Sequence, residues 1–100
     1  MRYDVILDAL NDYFPHDTTP LPLTGVREIR ITGCSLNGNH VVARLLSFTA
    51  EDNYEQGLPN HEQSMTIVND HQKPWGGLLF VAHNIQPGQR ATFNCELVYS

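Results

Sequence analysis

The sequence predicts a mainly β fold: about five antiparallel strands, as a sandwich or partly open barrel, with one N-terminal amphipathic helix packed on the sheet. Three observations carry that expectation. From Val26 onward, segments such as REIRIT and ATFNCELVY alternate polar and apolar residues. The dipeptides Asn37-Gly38 and Pro87-Gly88 punctuate them as turns. The opening residues instead place Tyr3, Ile6, Leu7, Leu10 and Phe14 at helical spacing, with Asp4, Asp8, Asn11 and Asp12 on the opposite face.

That spacing predicts a helix over 3–14, ended by Pro15, which restricts the residue before it and donates no backbone hydrogen bond. Residues 15–25, PHDTTPLPLTG, read as an extended Pro-rich connector whose Leu21 and Leu23 pack inward between prolines. The β region then runs over 26–100. REIRIT and VVARLLSF are expected to form a hairpin across Asn37-Gly38, with a bulge at Gly33. Residues 49–63, TAEDNYEQGLPNHEQ, hold four acidic and no basic side chains and read as a long exposed loop, with one helical turn near Glu51–Gln56. SMTIVN is a third strand. LLFVAH is apolar at nearly every position, which predicts burial on both faces and a central place in the sheet. ATFNCELVY, following Pro87-Gly88, is expected to pair with it as a second hairpin. No composition shift, repeat or linker divides the chain, so residues 1–100 are expected to form a single domain.

Bulk charge narrows the function classes. Eleven acidic and six basic side chains give a net charge of -5, which repels phosphate backbones and anionic membrane surfaces. The strand-rich pattern resembles OB-folds in general design, but those bind single strands through a basic groove with stacking aromatics, and the basic residues here are few and scattered. No stretch approaches the roughly 20 apolar residues of a membrane span, and Asp4 and Asp8 interrupt the apolar run of a would-be signal peptide. The expected setting is cytoplasmic, with Cys34 and Cys95 as reduced thiols rather than a disulfide.

The chemistry-bearing residues form no recognisable catalytic or cofactor motif. Five histidines, His16, His40, His61, His71 and His83, lack the spacing of a zinc site, although His61 with Glu62 and His71 with Asp70 can meet through folding. GCSLNG misses the nucleophile-elbow spacing by one residue, and a Cys34–His40 pair across the turn lacks an evident oxyanion hole. No catalytic residue, metal or cofactor is therefore expected.

What remains is surface. Tyr54 sits among the acids of EDNYEQ, and Trp75 sits beside Gly76 and Gly77 at the entry to LLFVAH. Trp75 after Pro74 reads first as a plug on an open end of the core, the glycines allowing a sharp turn, and second as an interface anchor. Glu51, Asp52, Tyr54, Glu55 and Trp75 are the expected partner-binding residues. The leading expectation is a non-catalytic protein-binding module, a small acidic inhibitor or adaptor that occupies a partner surface, by analogy with phage or mobile-element regulators. A small enzyme or ligand-binding barrel using His and Cys residues is the alternative, and a structural subunit of a larger assembly is third. Exposed sheet edges also predict homodimer pairing.

Overall fold

The structure, a computed structural model, describes residues 1–49, 51–60, 63–70 and 72–100. Its strands are β1 (Arg2–Asp8), β2 (Tyr13–Phe14), β3 (Leu21–Pro22), β4 (Val26–Ser35), β5 (His40–Leu46), β6 (Asn53–Gly57), β7 (Met65–Val68), β8 (Gly77–His83) and β9 (Arg90–Tyr99). They form two antiparallel sheets, one ordered β1-β9-β4-β7 and the other β2-β8-β5-β6, with β3 also paired to β8. The inner faces share one hydrophobic core, in which Phe80 of β8 meets Phe93 of β9 edge-on at 4.8 Å. The mainly β expectation holds as a two-sheet sandwich, and no described residue is helical.

The expected helix over 3–14 is instead β1, a tight turn and β2. Alternate residues Tyr3, Val5 and Leu7 stand opposite Cys95, Phe93 and Ala91 of β9, and Val5 and Leu7 are fully buried. Ile6 and Leu10, which the helical stripe would have buried, are 46% and 93% exposed. Two periodicities overlap in RYDVILD, and the one with period two wins because β9 offers a full ladder while β-branched Val5 and Ile6 suit a pleated chain. Asp8 then ends the strand: its carboxylate accepts the N–H groups of Leu10 and Asn11 at 3.0 and 2.8 Å. Phe14 does reach the core margin, through strand pairing with Phe80 rather than a helical stripe.

The Pro-rich connector behaves as expected at its end, with Leu21 and Leu23 buried and alternating with exposed Pro22. Its prolines explain why β2 and β3 are two-residue stubs along the same edge of β8: a residue without an N–H cannot continue a ladder.

Both expected hairpins are corners between sheets. Asn37-Gly38 does make a tight turn, with positive φ at both residues (53° and 78°) and the Asn39 N–H donating to the Leu36 carbonyl at 2.9 Å. Yet β4 belongs to one sheet and β5 to the other. The Pro87-Gly88 turn, closed from the Gln89 N–H to the Gln86 carbonyl at 3.0 Å, likewise carries the chain from β8 across to β9. Turn chemistry decides where a chain reverses, and burial decides which strands it joins. Leu36 and Ile85, buried just before the two turns, draw each corner over the core. β8 is buried on both faces, as expected, and is flanked by β5 and by β2 with β3, which leaves it no edge for β9. A one-residue register shift between Thr32 and Ser35 against β9 places the expected bulge at Gly33.

The true hairpin joins β5 to β6, with Leu46 opposite Asn53. The expected loop with a helical turn near Glu51–Gln56 is therefore a turn followed by an edge strand. The Ser47 N–H donates to the Asp52 carbonyl at 3.0 Å, and the Asp52 N–H to the Ser47 hydroxyl at 3.2 Å.

Candidate functional site

One end of the sandwich gathers the β5–β6 turn, the start of β8 and the segment between β7 and β8. Its organiser is Asn69, the one buried polar side chain among the described residues. The Asn69 side-chain amide donates to the carbonyls of Val26 (3.1 Å) and Trp75 (3.3 Å), and its side-chain oxygen accepts the Trp75 N–H at 2.8 Å. The Asn69 side-chain amide is thereby matched as donor and as acceptor, and the backbone at Trp75 is held at both its N–H and its carbonyl.

Trp75 is half-buried, with one part packed against the core and the rest open to solvent. The neighbouring glycines serve close approach rather than a sharp turn. Neither has positive φ. A Cβ on Gly76 would lie 2.7 Å from the Phe48 ring and 2.9 Å from the Phe48 Cα, and one on Gly77 would lie 2.9 Å from Pro20. Residue 76 therefore has to be small for Phe48 to lie against the strand entry.

Tyr54 stacks on Trp75, with ring centres 6.5 Å apart and planes 20° from parallel. Tyr54 is 50% exposed and Phe48 63% exposed, so this end presents aromatic surface to solvent on a hydrogen-bonded frame. Ser47, Asp52, Lys73, Pro74 and Trp75 line a cleft of about 40 Å³ beside the stack, far below the several hundred Å³ of a small-molecule pocket.

Of the five expected binding residues, Asp52, Tyr54 and Trp75 come together here. Glu51 is exposed in the adjoining turn. Glu55 turns to the outer face of the second sheet, the side of β6 opposite Tyr54, where its carboxylate accepts from the Arg44 Nε–H at 2.6 Å and Arg44 lies 6.0 Å from the Tyr13 ring centre. Sequence reasoning missed Phe48 and Asn69. Phe48 closes an apolar run just before polar residues, a signal that was available; a single Asn at the end of SMTIVN carries none.

The catalytic alternatives gain nothing from the geometry. Cys34 and Cys95 are free thiols buried in the core. Burial pushes the Cys34 thiol up, and pushes Cys95 up to about 12, the reverse of what a nucleophilic thiolate needs. The pairs built on His61 and His71 lie outside the described residues. Among the described residues no three His, Cys, Asp or Glu side chains converge as a metal cluster, and no helix is long and apolar enough to cross a membrane. No family model, curated protein or solved structure matches the chain.

Proposed function

We propose that this chain is a non-catalytic protein-binding module, a small acidic inhibitor or adaptor that occupies a partner surface with the end built from Phe48, Asp52, Tyr54 and Trp75. The observation that carries the reading is the Tyr54–Trp75 stack, fixed from behind by Asn69 and exposed in front. Aromatic side chains already held in place lose little entropy on binding and bury large areas, which is how a small interface gains most of its energy. Glu51 and Asp52 beside the stack, within a chain of net charge -5, favour a partner whose facing surface is basic.

The mode of contact follows from the strand that carries Tyr54. β6 pairs with β5 on one side and lies at the edge of its sheet, so a partner strand can add there while its side chains meet the aromatic end. A second copy of the chain, pairing edge to edge, is the homodimeric form of the same contact.

The test is capture from a lysate of the natural host, with the parent chain and a Phe48→Ala, Tyr54→Ala double variant run in parallel. A stoichiometric partner retained by the parent and lost by the variant, at an unchanged thermal midpoint, is the expected result. A partner held equally by both would overturn this placement of the interface. Sedimentation equilibrium separates the homodimeric form, which shows a concentration-dependent doubling of mass.

A further inference from the structure

The outer face of the second sheet carries a pair of imidazoles that the proposed interface does not use. His40 opens β5 and His83 closes β8, and the two are direct cross-strand partners. Their ring centres are 5.2 Å apart, with planes inclined at 41°. The spacing beneath them is rigid: the next pair on the same face, Val42 opposite Val81, is buried. His40 is exposed and His83 half-buried, so both rings are reachable from solvent while their backbones are held in the ladder.

We propose that His40 and His83 form a binding site for a late first-row divalent transition ion, of the copper or zinc type. An ion about 2.0 Å from each ligating nitrogen lies about 3.2 Å from each ring centre, which sets the two rings about 5.2 Å apart at the tetrahedral angle of zinc and about 4.5 Å apart at the right angle of tetragonal copper(II). The observed 5.2 Å falls in this range, so rotation of the rings about their side-chain bonds is what turns two nitrogens toward a shared ion. Imidazole suits these ions and offers nothing to magnesium or calcium, which take oxygen ligands. Two protein ligands leave the other positions to water, so the ion exchanges freely rather than being locked in. Because the ligands come from different strands, the ion fastens the β5–β8 pair at the centre of the second sheet, and it binds the folded chain better than the unfolded one.

Isothermal titration of the full chain with copper(II), zinc(II), manganese(II) and magnesium(II) salts tests this, alongside His40→Ala, His83→Gln and the control His16→Ala. The expected result is one copper ion per chain, with zinc weaker, manganese weaker still and no magnesium heat. Each of the two site variants should lose about tenfold or more in affinity, and His16→Ala should match the parent. Both site residues lie on the outer face, so the variants should keep the parent's thermal midpoint without metal. A small amount of nickel(II) should broaden the ring proton resonances of His40 and His83 before those of the other histidines, a readout independent of variant folding. Parent-like affinity in both site variants, or broadening that begins at other histidines, would overturn the proposal.

Discussion

Asn69 shows how much of this molecule's aromatic end hangs on one side chain. Replacing it with Ala would take the acceptor from the Trp75 N–H and a donor from the carbonyls of Val26 and Trp75, at a buried to part-buried place. At about 1–3 kcal/mol for a buried group left unmatched, Asn69→Ala should cost roughly 2–4 kcal/mol in urea unfolding. It should also shift Trp75 fluorescence to the red, since the indole loses its fixed seat; an unshifted spectrum with full stability would contradict the latch. Gly76→Ala should cost about 1–3 kcal/mol, because the new methyl meets backbone at Phe48 and not only a movable ring. Cys95 gives the pH dependence. Its thiol would ionise from 9.0 when exposed but is pushed up to about 12 by burial. The unfolded chain therefore releases that proton first, so this contribution is complete below pH 9.0 and is lost as pH rises toward about 12. The slope is at most about 1.4 kcal/mol per pH unit, and the stability difference between about pH 8 and about pH 10 should be smaller in Cys95→Val than in the parent. Equal alkaline losses in both would remove Cys95 as the cause.

At the scale of the element, residues 2–14 are the instructive case. RYDVILDALNDYF satisfies two patterns, and local periodicity alone cannot choose between them. The choice is made by β9, more than eighty residues away, which supplies a partner ladder to Tyr3, Val5 and Leu7. The two assignments predict opposite mutational costs. Val5→Ala should cost about 2 kcal/mol or more by creating a cavity, whereas Leu10→Ala should stay within about 0.5 kcal/mol. A helix would reverse that order, and chemical denaturation of both variants measures it. The turns were legible because positive φ at Asn37-Gly38 and the Pro87-Gly88 geometry are local properties. Their partner strands were not, because corner and hairpin share the same turn residues and differ only in where Leu36 and Ile85 are buried. The central position of β8 was legible from composition, since an uninterrupted apolar strand has to be covered on both faces.

At the scale of the whole molecule, the two ends of the sandwich differ in kind. One gathers the turns around Asp8, Leu10, Asn37 and Pro87 into an open depression, with Leu10 projecting. The other gathers Phe48, Tyr54 and Trp75 around the Asn69 latch. Part of that second site was readable from the acids and aromatic of EDNYEQ, which mark exposure. The stack itself was not, because Tyr54 and Trp75 meet only after β6 pairs with β5 and Asn69 pins the segment before β8. Glu55 stands apart from the stack for a related reason: in a strand its neighbour Tyr54 faces the other way. The proposed interface lies at the aromatic end, and the exposed Leu10 at the opposite end supplies an internal control. A photo-crosslinking phenylalanine analogue installed at Tyr54, and separately at Leu10, in host lysate tests it directly. One dominant adduct from position 54 and none from position 10 is the expected result; an adduct from position 10 with none from position 54 would place the interface at the opposite end.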